Sequence, residues 1–210
     1  MIYLIGGSPR CGKSILSKKL AKKIDAQFFG CDYLRSIVMA YISKEELNSK
    51  FPFVKMYDDI GHNNKVFFEN NTAEQILNAD LVEARTLWRG IREFVNQKAM
   101  LNRDIVIEGV QLLPELVNEL RKEKYFRNIK VVYLIKEGEN DILAGFAKNI
   151  QNDWLMSDTV DEKTLHCAIK MVQVYSLYFK KEAKKYGFSV FNTEGDFEPK
   201  LNEVVECLVK

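Results

Sequence analysis

No apolar stretch in the chain approaches the roughly 18 residues needed to cross a bilayer, and the opening segment, MIYLIGG, holds a short apolar run with no basic leader. A cytoplasmic protein is therefore expected, neither secreted nor membrane-spanning. Cysteine is sparse: Cys11, Cys31, Cys167 and Cys207 are widely spaced and form no CxxC or Cys/His pattern, which argues against a disulfide framework and a structural zinc site. Charge of one sign is also lacking. Lys plus Arg total 31 against 29 Asp plus Glu, a net charge of +2, so there is no general field for nucleic acid or an anionic membrane, and any anion site must be local. Internal repeats, low-complexity segments and a second domain boundary are absent too. With 210 residues, 47% of them hydrophobic, a single domain over residues 1–210 is expected.

What is present is an alternation of short apolar runs and helical patterns. Ile2 to Ile5 reads as a buried parallel strand that runs into the turn Gly6-Gly7. A helix with Ile15, Leu16, Leu20, Ala21 and Ile24 on one side and lysines on the other follows from about Ser14. Further strands are expected at Gln27 to Phe29, Ile105 to Ile107, Val131 to Ile135 and Phe188 to Phe191. The spacing predicts a long helix from about Thr72 to Met100, with Leu77, Leu81, Ala84, Trp88, Ile91 and Val95 as its apolar stripe. Other helices are expected at Asp141 to Ile150, Thr164 to Tyr186 and 197 to 208. Residues 42 to 72 are less regular and read as an insertion over a site, and 141 to 163 as a lid-like region. Strands alternating with helices argue for an α/β, three-layer architecture of about five parallel strands covered on both faces.

The segment Gly7-Ser8-Pro9-Arg10-Cys11-Gly12-Lys13-Ser14 satisfies G-x-x-x-x-G-K-[ST] after an apolar strand and at a helix start, the context in which that pattern binds nucleotide phosphates. Polyphosphate carries several negative charges, and such a loop answers with inward backbone N–H groups and the positive end of the next helix. Gly7 and Gly12 permit the torsions this nest requires. Lys13 is expected to reach the β and γ phosphates and the Ser14 hydroxyl to coordinate Mg²⁺. Arg10 either touches phosphate as well or is solvated.

Glu108 ends an apolar strand at the edge where open parallel sheets hold ligands, so it can organise Mg²⁺, its water shell or the acceptor, or be an ordinary surface carboxylate. Asp32 follows the second strand in the same way; it is a candidate base, a water-mediated Mg²⁺ partner or a plain N-cap. Arg85, Arg89 and Arg92 are spaced i, i+4, i+7 and share a helix face that could hold an anionic acceptor, although Glu83 and Glu93 could equally make part of it a solvated charged face. Arg35, one turn beyond Asp32, is the better placed acceptor residue. His62 is a lone loop histidine, and Asp58 to Gly61 matches DxxG without the strand or the base-recognition motif a GTPase requires.

With the loop, Asp32 and Glu108 in place, the chain resembles the P-loop small-molecule kinases, nucleoside- and nucleotide-kinase-like in fold, and most closely 2-phosphoglycerate kinase. Cys31-Asp32-Tyr33-Leu34-Arg35-Ser36-Ile37-Val38 is similar to that family's T-D-x-I-R-x-x-x stretch, and Val106-Ile107-Glu108-Gly109-Val110-Gln111-Leu112-Leu113-Pro114 to its I-I-E-G-x-H-x-x-P strand end. A weaker match runs from Ile169-Lys170-Met171-Val172-Gln173 to the strand ending at Asn192-Thr193. The resemblance implies that Asp32, Arg35 and Glu108 lie at the acceptor and Mg²⁺ side and that Asn192 and Thr193 lie near the adenine of ATP. Gln111 stands where the family has histidine, and Asp141 to Lys148 lacks lid arginines, leaving Lys148 as its only basic residue.

The expected activity is transfer of the γ-phosphoryl group of ATP, with Mg²⁺, to a small anionic metabolite, 2-phosphoglycerate-like or nucleotide-like, by Lys13, Asp32 and Glu108. A nucleotide-dependent switch or ATPase module, and a toxin-like kinase acting on a sugar nucleotide or macromolecule, are the alternatives.

Overall fold

The computed structural model describes residues 1–147 and 161–209. Five short runs within them pair into one sheet: β1 (Ile2–Gly7), β2 (Gln27–Gly30), β3 (Ile105–Glu108), β4 (Ile129–Ile135) and β5 (Ser189–Asn192). Every pairing is parallel and the spatial order is β2-β3-β1-β4-β5. β1 therefore lies in the middle, buried along its whole length. Its side chains alternate between two cores, as the pleat requires. Ile2 and Leu4 join one core with Ile107, Tyr133 and Ile135; Tyr3 and Ile5 join the other with Val106, Val132 and Leu134. The sheet is the central layer of three.

On one face pack α1 (Lys13–Lys23) and α10 (Phe197–Val209), through Leu16 and Leu20 against Leu201, Val204 and Val205. The other face is covered chiefly by α6 (Ala73–Met100) and α9 (Glu162–Lys185), which bring Ile76, Leu87, Trp88 and Ile91 against Val172, Tyr175 and Phe179. α2 (Cys31–Met39), α7 (Pro114–Glu119) and α8 (Glu139–Ala147) complete that side. α6 starts where Thr72 and Gln75 form a reciprocal capping box.

Strand positions agree with the sequence reading to within two residues. β4 begins earlier than Val131 because Ile129 still pairs with Ile2. Residues 42 to 72, expected to be irregular, contain three short helices, α3 (Lys44–Lys50), α4 (Pro52–Asp58) and α5 (Asn64–Asn70). Each start has its own local cause: a Ser43/Glu46 capping box, Pro52 at the first helical position and Asn63 accepting from the Val66 N–H. Lys148 and the middle of the expected lid lie outside the described residues.

Candidate active site

All five strands deliver their C-terminal ends to one edge, the position where parallel α/β sheets bind ligands. Ser8 leaves β1, Asp32 opens α2 directly after β2, Glu108 ends β3, Lys136 follows β4 and Thr193 follows β5. Parallel register sets Glu108 beside both Ile5 and Gly30.

The loop from Gly7 to Ser14 wraps over this edge. Gly7 has φ 129°, and a Cβ there would sit 2.0 Å from the Leu134 carbonyl oxygen, so only glycine allows β1 to run this close to β4. Gly12 has φ 92° and caps α1. Arg10 is left-handed as well, with φ 64°, a conformation that costs a non-glycine residue free energy and tends to persist at functional sites. Its guanidinium lies 5.3 Å from the centre of the Phe146 ring, and burial lowers its pKa to about 10. The loop is anchored from three sides: the Ser8 N–H donates to Leu134 O at 3.0 Å, Ser8 Oγ donates to Val172 O at 2.9 Å, and Thr193 Oγ1 donates to Cys11 O at 3.0 Å. Lys13 Nζ and Cys11 Sγ both donate to the Ser8 carbonyl at 2.7 Å. The Cys11 thiol is pushed up by burial, opposed by Lys13.

Ser14 Oγ donates to Glu108 Oε1 at 3.0 Å. Burial raises the Glu108 carboxyl; Lys13 and Ser14 oppose that and Asp32 adds to it. A partly buried, oxygen-rich pair at a phosphate loop suits a hard cation that keeps water and phosphate ligands, which is how Mg²⁺ is commonly held. Among the described residues no group of three or more His, Cys, Asp or Glu could hold a metal by itself.

Two cavities meet at Lys13 and Ser14. One, of about 860 Å³, is bounded by Arg10, Gly12, Lys136, Gly145 and the segment from Gly195 to Pro199. The other, of about 740 Å³, is bounded by Asp32, Arg35, Phe53, Tyr57, Asp80, Glu108 and Tyr175 among others. For the kinase reaction expected from the sequence, the first offers room for a nucleotide's base and ribose and the second for an acceptor.

Asp32 is fixed on one oxygen. Gln111 Nε2 donates to Asp32 Oδ1 at 2.9 Å, and Arg35 Nη2 stands 3.2 Å from the same atom. Among the described residues Oδ2 has no hydrogen-bond partner. Gln111 thus orients the carboxylate without being titratable. Arg35 Nη1 also lies 3.7 Å from Glu83 Oε2.

Three expectations change. The Arg85/Arg89 face is not brought to the acceptor cavity: Arg85 donates to Glu115 on α7 at 3.1 Å, Arg89 is exposed, and neither lines the cavity. Trp88 donates to Glu119, also on α7, at 2.8 Å, which turns that side of α6 away from Asp32. Glu83, expected on a solvated face, is only 1% exposed. Thr193 is buried and braces the loop, while Asn192 is exposed with Oδ1 accepting from the Glu194 N–H; the cavity wall is made by the residues just beyond them. His62 is exposed at the cavity rim, 3.2 Å from Asp58.

Sequence reasoning missed Lys136, Asp80, Glu83 and Tyr175. Lys136 carried the same signal as Glu108, a charged residue ending an apolar strand. It is 5% exposed and its ammonium lies 5.1 Å from the centre of the Phe197 ring. Asp80 sits four residues from both Ile76 and Ala84, in phase with the apolar stripe of α6.

No family model matches the chain, and no curated protein matches it. Solved structures do. Shikimate kinase from Bacteroides thetaiotaomicron is similar over 100% of this chain and 99% of its own, with a TM-score of 0.55 and 14% identity. A sugar kinase from Janibacter sp. HTCC2649 has a TM-score of 0.55 and 14% identity over 99% of this chain and 94% of its own. Deoxyadenosine kinase from M. mycoides, with bound dATP, has a TM-score of 0.50 and 16% identity over 100% of both chains. The chain has the three-layer α/β fold of P-loop kinases. The likeness extends to small-molecule kinases in general and does not single out 2-phosphoglycerate kinase. Among the described residues no helix is long and apolar enough to cross a membrane.

Proposed function

We propose that this chain is a kinase that uses ATP and Mg²⁺ to phosphorylate a hydroxyl group of a small molecule. The observation that carries the reading is the meeting of two cavities at Lys13 and Ser14, one suited to a nucleotide and the other holding an oriented carboxylate, Asp32. The fold supports it, since its neighbours are kinases named for shikimate, a sugar and deoxyadenosine.

In this reading the loop N–H groups and the start of α1 bind the β and γ phosphates. Lys13 exchanges its hydrogen bond with the Ser8 carbonyl for one with phosphate oxygen. Mg²⁺, held by Ser14 with Glu108 in reach, supplies charge neutralisation on the phosphates when bound. Asp32 Oδ2 takes the proton of the acceptor hydroxyl as its oxygen bonds to the γ-phosphorus and the bond to the β-phosphate oxygen breaks. Gln111 and Arg35 hold Asp32 in that orientation, and alignment of this kind lowers a barrier by several kcal/mol. Lys136 and Arg10 add positive charge on the nucleotide side. Of the anionic acceptor site expected between Arg35 and the Arg85/Arg89 face, Arg35 lines the cavity, whereas Arg85 is paired with Glu115.

Acceptor-dependent ADP release over a panel of alcohols, measured for the native protein and for Lys13→Ala, tests the reading. Removing one preorganised cation should lower kcat about 10²- to 10³-fold with the fold intact. Undiminished turnover by Lys13→Ala would defeat it.

A further inference from the structure

The wall of the acceptor cavity beyond the phosphate loop is rich in carboxylates. Asp32, Asp58, Asp80 and Glu108 line it, whereas Arg10 and Lys13 are shared with the nucleotide cavity. Among the described residues the cations left are Arg35 and, when protonated, the rim residue His62. His62 already stands against Asp58 at 3.2 Å.

Arg35 is committed twice, to Asp32 at 3.2 Å and to Glu83 at 3.7 Å. Among the described residues Glu83 Oε2 is buried with no hydrogen bond, so Arg35 is its counter-charge whenever it is ionised. Drawing the guanidinium onto an incoming anion would leave a buried carboxylate uncompensated, an arrangement that proteins avoid. Asp80 Oδ2 accepts the Tyr175 hydroxyl at 2.5 Å, and among the described residues Oδ1 has no partner. Phe53, Tyr57, Met39 and Met171 add apolar and aromatic surface between the acids, of the kind on which sugar rings and cations rest. Burial raises Asp80 to about 6, against the opposing effects of the Tyr175 hydroxyl, Arg35 and Lys13.

Resting on the reading of the Asp32 side as the acceptor site, we propose that the acceptor is an alcohol bearing no phosphate or carboxylate, recognised through its own hydroxyl or amino donors by Asp80 and Asp58.

The test is ADP release with saturating MgATP over three arms: glucosamine, a protonated amine; ribose and deoxyadenosine, uncharged; 2-phosphoglycerate and shikimate, anionic. Like-charge contacts are costly enough that turnover in one of the first two arms should exceed the anionic arm at least about tenfold. The first two arms separate an amino from a hydroxyl donor. Asp80→Asn should then lower kcat/KM for the favoured arm about tenfold while leaving the KM for ATP unchanged. Equal or greater turnover of the anionic arm overturns the inference and leaves the kinase reading standing; failure to bind MgATP, or an inert Lys13→Ala change, defeats the kinase reading in any arm. If no arm is turned over, melting temperatures decide, measured with a non-hydrolysable ATP analogue and Mg²⁺ so that the phosphate loop is filled. A larger rise with glucosamine, ribose or deoxyadenosine than with the anionic compounds supports the inference. An equal or larger rise with the anionic compounds overturns it, and so does the absence of a rise in every arm.

Discussion

Replacing Glu83 with glutamine should make the protein more stable, and by an amount that depends on pH. Glu83 is 1% exposed; its Oε1 accepts the Val54 N–H at 3.0 Å while Oε2, without a hydrogen bond among the described residues, stands 3.7 Å from Arg35. Burial, reinforced by Asp80 and opposed by hydrogen bonds from the Val54 and Phe53 N–H groups and by Arg35, raises its pKa from 4.5 to about 7. The folded state therefore holds a proton that the unfolded chain has released, and stability falls as pH rises from the unfolded value through the folded one. At about 1.4 kcal/mol per unit, the loss is about 1 kcal/mol at pH 5 and about 3 kcal/mol at pH 8. Glu83→Gln keeps the size and a carbonyl acceptor for Val54 but cannot ionise, so this loss disappears. Urea unfolding at both pH values should give the variant an advantage that grows by about 2 kcal/mol from pH 5 to pH 8. Because each comparison is made at one pH, titration of distant groups cancels. An advantage that does not grow with pH, or a variant less stable than the native protein at pH 8, would refute the argument that burial outweighs Arg35.

Thr193→Val should remove the side-chain bond to Cys11 O at 3.0 Å and its longer branch to Ile135 O at 3.3 Å; the expected cost is about 1–3 kcal/mol in urea unfolding, together with weaker binding of a fluorescent ATP analogue, and unchanged binding would show that the loop does not need this brace. Gly12→Ala places a methyl group 2.6 Å from Phe197 Cζ, whereas Gly61→Ala, also at positive φ, meets nothing within 4 Å. Both should lose about 1–2 kcal/mol to the left-handed backbone, but only Gly12→Ala should also lose nucleotide affinity, and equal nucleotide binding by the two variants would contradict the placement of Phe197 at that cavity.

The parts of the site that could be read from the sequence are those whose signal is local. The loop pattern follows directly on its strand, and Glu108 ends the apolar run of β3, so each signal is contained within a few residues even though the two are far apart in the chain. Asp32 was legible for the same reason, as the acid opening the helix after β2. What was not legible depended on helix phase against distant partners. Arg85, Arg89 and Arg92 do share a face by spacing, but whether that face meets Asp32 or α7 is decided by Trp88 and Glu119, 31 residues apart. Asp80 and Glu83 looked like ordinary helix-surface acids because α2, α4 and α9, which bury them, are remote in the chain. The three short helices between 42 and 72 were hidden by length, since seven residues give barely two turns of periodicity, though their caps were visible.

The helix α9 touches both halves of the site on adjacent faces. Met171 and Tyr175, four residues apart, line the acceptor cavity. Val172 and Ser176, one residue further round, hold the Ser8 hydroxyl and the backbone of Lys136. A ligand that slid or tilted this rod from the Tyr175 side would pull at the same time on the phosphate loop and on the end of β4. In the proposed kinase, a ligand on either side that shifted α9 would alter the affinity for the ligand on the other, and the two effects would have to be equal in size.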